Sequence, residues 1–272
     1  MPATRTLIAA TLLATFACGP GTSLGARADE ADAAGGPVVL ELFTSQGCSS
    51  CPPADRLLTR LGSDPQLSTR VFPLSFHVDY WNYIGWTDPF SSAKWSSRQR
   101  RYARTFESQR VYTPQLVVNG REEGVGSKEG EVEDMVHRAL GRPAAAKLHV
   151  QLAPGSDPGQ LRAQVQAQVV EPPQDASGKP LDLMVALYEK DLTTSVERGE
   201  NASRTLRNDY VVRVLEDAGK LAPQGGAGMK AEVVFDLDPS WKVRDLGVVA
   251  FLQDPRTGAV YGAARATLAV IE

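Results

Sequence analysis

The chain has 272 residues, 42% of them hydrophobic and 22% charged, ordinary globular values that exclude a disordered or fibrous protein. Its formal net charge of -3 comes with no basic block, so nucleic acid is not an expected partner. The three cysteines are Cys18, Cys48 and Cys51, too few for a stabilising disulfide framework.

The chain opens on Arg5, an apolar run from Leu7 to Ala17, and Ala26-Arg27-Ala28, an A-x-A cleavage pattern. Residues 1–28 therefore read as a secretory signal cut after Ala28, which places the mature chain in the periplasm or outside the cell. The apolar run is shorter than the roughly 20 residues a bilayer span needs, and no transmembrane helix is expected in the mature chain. A lipoprotein cut before Cys18 is the rival reading, disfavoured because Phe16 is bulky where a lipobox takes small residues. Residues 29–36 read as a flexible lead.

From residue 37 to 142 the elements alternate. Val38 to Phe43 is a buried strand, followed by Cys48-Ser49-Ser50-Cys51-Pro52-Pro53 and a helix whose Leu57, Leu58 and Leu61 share a face. Val71 to Val78 is a second strand. Asp88-Pro89 reads as the N-cap and first residue of a helix running to about Ser108, basic on one side. Thr113-Pro114 precedes a strand, Asn119-Gly120 is the preferred dipeptide of a tight hairpin, and Val132, Met135, Val136 and Leu140 mark a last helix. Strand, C-x-x-C, helix, strand, helix, hairpin, helix is the order of an α/β thioredoxin-like domain. From residue 143 to 272 the texture changes. Leu161, Ala163, Val165, Ala167 and Val169 alternate with polar residues, and further strands are expected at 145–153, 181–189, 209–217, 230–237, 246–253 and 259–270. This half reads as an all-β, sandwich-like domain.

The chemistry concentrates at Cys48 and Cys51. A thiolate beside a helix N-terminus is stabilised by unpaired backbone N–H groups and the helix dipole, so its pKa falls and it attacks disulfides at neutral pH. Cys48 is expected to be the exposed attacker and Cys51 the resolver, with Ser49 and Ser50 donating to the Cys48 sulfur. If Cys48 capped the helix, Pro52 and Pro53 would fall inside it at a cost; if Ser50 capped it, they would sit in the first turn. Structural disulfide and metal site are the competing readings of the pair. Thr113 and Pro114 read as a cis X-Pro unit facing the cysteines and positioning a substrate backbone, against an ordinary trans proline opening a strand. His77 and Asp79 point the same way on an extended segment. They are candidates for a proton relay or metal ligation, against a histidine that only supports a loop. The aromatic segment 80–86 is a partner-binding lip or internal packing.

Leu42 to Asp55, Phe76 to Trp86, Tyr112-Thr113-Pro114-Gln115 and the stretch from Gly199-Glu200-Asn201 to Asn208-Asp209-Tyr210-Val211-Val212-Arg213 together resemble the secreted bacterial family of unknown function DUF1223. The resemblance covers nearly all of the mature chain and implies a thioredoxin-like domain followed by a β-rich one. Relatives more usually carry Asp where this chain has Asn82, and a His around Asn208, which weakens a metal site here.

Three functions follow. The first is an exported thiol–disulfide oxidoreductase acting on protein or small-molecule thiols and disulfides through Cys48 and Cys51, with no cofactor and no assigned metal. The second is a copper(I) or zinc carrier using Cys48, Cys51 and His77. The third is a scaffold gripping a partner with segment 80–86. Fold alone does not choose among them.

Overall fold

The computed structural model describes residues 27–28 and 35–268. The expected leader core, Cys18 and the lead at 29–34 lie outside the described residues. Arg27–Ala28, expected to close the leader, form a two-residue strand (β1) paired with Thr267 and Ala266.

Two parallel strands, β2 (Val38–Thr44) and β3 (Val71–His77), are joined through helix α1 (Pro52–Ser63) and run in register from Val38↔Val71 to Thr44↔His77. Every residue of both is buried, which is why they read as continuous apolar runs rather than alternating ones. After helix α2 (Ala93–Thr105), strands β4 (Gln115–Val118) and β5 (Glu122–Val125) form an antiparallel hairpin beside β2, and helix α3 (Glu129–Leu140) follows. Asn119 and Gly120 both have positive φ (47° and 62°), as a tight hairpin turn of this sequence requires. Leu40 and Leu42 pack with Leu57, Leu58 and Leu61 of α1 and with Val132 and Met135 of α3. On the other side of the strands, Val39, Phe43, Phe72 and Phe76 meet Trp95 and Tyr102 of α2.

The expectation of an α/β thioredoxin-like domain followed by an all-β domain is corrected by the remaining strands. β8 (Leu181–Glu189), β11 (Val211–Leu221), β13 (Leu246–Gln253) and β14 (Val260–Thr267) continue the first sheet. The result is one mixed nine-stranded sheet ordered β1-β14-β13-β8-β11-β3-β2-β4-β5 in a mostly β molecule. The seam is a parallel contact of β11 with β3 at Val211↔Ser75, with the Ser75 N–H donating to the Tyr210 carbonyl (2.8 Å). One apolar cluster crosses it, placing Phe43, Phe76 and Trp95 with Tyr188, Val249 and Phe251. Only β6 (Ala146–Pro154), β7 (Gln160–Val169) and β12 (Gly228–Asp236) form a separate three-stranded sheet, whose buried side chains share a core with β8, β13 and β14. A short hairpin, β9 (Leu192–Val196) and β10 (Arg204–Asn208), pairs with neither sheet.

Helix α2 also starts later than expected. Ser92 is its N-cap, accepting from the Lys94 N–H (3.2 Å), and Asp88 is used elsewhere.

Candidate functional site

The β2 strand ends at Thr44, and the chain turns through Ser45-Gln46-Gly47 into the cysteines. The Cys48 N–H donates to the Ser45 carbonyl (3.1 Å) and the Cys51 N–H to the Cys48 carbonyl (3.2 Å). Cys51 itself is the residue that caps α1, without a side-chain hydrogen bond, so Pro52 and Pro53 take the first two helical positions, where a missing N–H costs little. This settles the capping question left open by the sequence: neither Cys48 nor Ser50 is the cap.

Cys48 and Cys51 form a disulfide with Cα atoms 5.4 Å apart. The Ser50 hydroxyl lies 3.3 Å from the Cys48 Sγ, and the Thr113 carbonyl oxygen lies 3.8 Å from it. The Thr113–Pro114 peptide is cis. The Thr113 hydroxyl accepts from the Trp81 indole N–H (2.7 Å), tying the aromatic segment to the same corner. Thr113, Ser50 and the disulfide are thus brought together, whereas Ser49 acts through its backbone, donating its N–H to a Glu200 carboxylate oxygen (2.8 Å).

The expectation of an exposed attacking sulfur is corrected. Cys48 is 1% and Cys51 0% exposed. Two segments close over them. A Cβ at Gly47 would stand 3.2 Å from the Trp81 Cβ and 3.3 Å from the Ile84 Cδ1. From the other side comes the β9–β10 tip: the fully buried Asn201 donates from Nδ2 to the carbonyls of Gln46 (2.8 Å) and Cys48 (2.9 Å). Within segment 80–86, Trp86 also donates its indole N–H to the Gln46 Oε1 (3.3 Å), so much of the segment is packing; Tyr83 is its exposed large side chain, at 83%.

A buried acid–base group lies at the same end of β2 and β3. His77 Nδ1 and Asp88 Oδ2 are 2.7 Å apart with both side chains fully buried, and the same oxygen accepts the Gln46 N–H (2.8 Å). Asp79 is not part of this pair. It turns to the Ser96 hydroxyl, so the expected His77–Asp79 relay is not assembled; the partner of His77 is Asp88. Burial alone would lower the His77 pKa, but the Asp88 charge and hydrogen bond outweigh it and raise it above the usual 6.5. Burial alone would raise the Asp88 pKa, and its contact with His77 holds it below the usual value instead. His77 Nε2 is buried without a hydrogen-bond partner. Asp55 stands one helical turn after Cys51, its N–H on the Cys51 carbonyl (3.1 Å) and its Oδ1 accepting from the Thr44 hydroxyl (2.8 Å). Burial pushes its pKa up to about 6, with His77 partly offsetting the rise.

Asp55, Asp88, Glu200 and Asn201 were not singled out by the sequence reading as site residues. Asp55 had a signal: it is an acid adjoining the Ala54, Leu58 and Leu61 stripe that α1 turns inward. Asp88 was hidden because Asp-Pro is also a good helix start. Among the described residues no three Cys, His, Asp or Glu side chains are grouped to hold a metal ion. Nor is any described helix long and apolar enough to cross a membrane.

A strand ending in a disulfide turn, one helix and a cis-proline corner define the site of a disulfide-bearing, mostly β protein. The chain belongs to the family of proteins of unknown function DUF1223, whose model matches residues 39–253. It is similar in structure to protein AGR_C_4864 from Agrobacterium tumefaciens, with 27% identity, a TM-score of 0.64, and coverage of 88% of this chain and 97% of that one. It is also similar to HBP35 of Porphyromonas gingivalis, with 20% identity, a TM-score of 0.59, and coverage of 87% of this chain and 76% of that one, a likeness of fold. No curated protein matches the chain.

Proposed function

We propose that the protein is an exported thiol–disulfide redox protein in its closed, oxidised form. The observation that carries this reading is the disulfide itself. It joins residues three apart, and a ring so small stabilises little, because the stabilising effect of a disulfide grows with the loop it closes. A protonatable carboxyl, Asp55, stands one turn from Cys51 on the same helix. Keeping Asp55 buried has a stability cost above about pH 6 that a role in turnover explains.

In the reductive direction a substrate thiolate attacks the Cys48 Sγ. A substrate–Cys48 disulfide forms, the Cys48–Cys51 bond breaks, and the Cys51 sulfur leaves with the electron pair and takes a proton. A second substrate thiolate attacks the substrate sulfur, and Cys48 leaves as a thiolate. Two substrate thiolates are oxidised to one disulfide, and the protein gains two electrons and the one proton held on Cys51, with Cys48 left as the thiolate. Thr113 offers the carbonyl that faces Cys48 to an extended substrate backbone.

Trapping tests the reading. A Cys51→Ala protein exported from its host is expected to carry a reductant-sensitive adduct through Cys48, absent from a Cys48→Ala, Cys51→Ala control. Recovery of the single variant with a free Cys48 thiol and no adduct contradicts it. One observation favours a second reading: Cys48 is closed to solvent while Tyr83 projects from one of the segments that cover it, as in a scaffold with an inert disulfide. In that case binding partners survive loss of both cysteines.

A further inference from the structure

One of the two segments that close over Cys48 lies about 150 positions away in sequence and is the tip of a hairpin outside both sheets. Its foot is fixed. The Asn208 Oδ1 accepts from the Gln46 Nε2 (3.0 Å) and the Asp209 carboxylate from the Thr59 hydroxyl (3.0 Å). Its tip touches the disulfide turn through two residues and segment 80–86 through a third. Asn201 holds the Gln46 and Cys48 carbonyls, the Glu200 carboxylate holds the Ser49 N–H, and Gly199, with φ at +80°, lies so close to segment 80–86 that a Cβ there would stand 3.3 Å from the Trp86 Cβ. Asn201 is in turn held by Arg204, whose guanidinium donates to its Oδ1 (2.9 Å).

The chemistry of the contacted groups gives the tip a consequence. A thiolate at the start of a helix depends on backbone N–H donors. Pro52 and Pro53 have none to give, and the Cys51 N–H is spent on the Cys48 carbonyl. Glu200 occupies the N–H of Ser49, the residue after Cys48, and so fixes a carboxylate on the turn that carries the sulfur.

We infer that Glu200 and Asn201 form an anionic latch over the disulfide: Asn201 holds the hairpin tip down, and Glu200 selects against anionic thiols. The inference rests on the redox reading and adds a substrate class to it. The thiols that reduce Cys48–Cys51 carry a neutral or cationic group, and not an anionic one, next to the attacking sulfur, and a substrate gains access by lifting residues 199–201. Neither residue is a reacting group; both act through the turn that carries Cys48.

The test uses the oxidised full chain and three small thiols of similar size, 2-mercaptoethanol, 2-mercaptoethanesulfonate and cysteamine. Rates of disulfide loss are read by alkylation and mass spectrometry and corrected for the thiolate fraction of each reagent. The wild-type protein is expected to favour cysteamine over the sulfonate. Glu200→Gln narrows that preference by about threefold, the scale of one exposed charge contact. The narrowing disappears in 1 M salt, where the screening length is about 3 Å. Asn201→Ala speeds all three reagents by about tenfold without changing the preference, since it removes hydrogen bonds and no charge. A merely structural Glu200 would leave the ratio between reagents alone. If the wild-type protein is reduced but Glu200→Gln leaves the ratio unchanged, or Asn201→Ala leaves the rates unchanged, the latch is overturned and the redox reading stands. If the wild-type protein and both variants resist all three thiols while folded, the redox reading fails and the latch with it.

Discussion

An Arg98→Met protein is expected to lose about 4 kcal/mol of stability, because it strands a buried carboxylate. Arg98 is 4% exposed and Glu41 1%. The guanidinium meets the Glu41 carboxylate through Nε (2.5 Å) and one terminal nitrogen (2.9 Å), and donates to the Gln253 Oε1 (3.0 Å). It also lies over the rings of Phe76, Tyr102 and Phe251, within 5.7 Å of each centroid. The contact therefore joins β2, α2 and β13, elements from both halves of the chain. Urea unfolding followed by tryptophan fluorescence and by far-UV circular dichroism measures the loss. A Glu41→Gln, Arg98→Met double variant should lose less than the single one, because the unpaired charge is gone. The two probes should report one coincident transition, as a continuous sheet requires. A loss under about 1 kcal/mol, the range of exposed ion pairs, contradicts the account.

The second large effect has the opposite sign. The Asp55 pKa is raised from the usual 3.8 to about 6, so the folded protein binds more protons than the unfolded chain between those values. Stability contributed by this group consequently falls as pH rises from about 4 to about 6, and the cost is complete above that. Each pKa unit corresponds to about 1.4 kcal/mol, so Asp55→Asn is expected to stabilise the protein by on the order of 2 kcal/mol at pH 7, and by nothing at pH 4. The asparagine Oδ1 can still accept from Thr44, as Asp55 does now. His77 runs the other way: with its folded pKa raised above 6.5, its contribution is present below that value and is lost as pH climbs through the folded pKa. Urea midpoints of the wild-type and Asp55→Asn proteins across pH 4 to 8 separate the two groups. An Asp55→Asn protein no more stable than wild type at pH 7 contradicts the assignment. If the redox reading holds, the stabilised variant turns over more slowly, since its Cys51 has lost a proton donor and acceptor on the neighbouring turn.

Local chemistry was legible in the sequence and long-range pairing was not. Val38 to Phe43, the Leu57–Leu58–Leu61 face and the Asn119-Gly120 turn follow from period and turn residues, which act over a few positions. The alternation from Leu161 to Val169 gave a half-buried strand for the same reason, and the structure has it as β7. What alternation does not specify is the neighbour across the sheet. Strand β11 has an antiparallel neighbour in β8 and a parallel one in β3, and only the second contact joins the two halves. At the site, the cysteines and Thr113-Pro114 stood out because few other roles suit those residue types there. Asp88 did not, since Asp-Pro serves a helix start equally well, and a buried His77 recruited it first. Glu200 and Asn201 looked like loop residues because their function depends on where a hairpin tip lands, about 150 residues from the turn it covers.

Equilibrating the folded, full-length protein with dithiothreitol buffers of graded potential, then alkylating and weighing it, bears most directly on whether this disulfide cycles. The account predicts a single two-electron step that adds two labels to each molecule, at Cys48 and Cys51, beyond any already on Cys18, with the far-UV spectrum and urea midpoint showing the chain still folded, and full reversal on reoxidation. Labels that appear only once urea has unfolded the chain would contradict it.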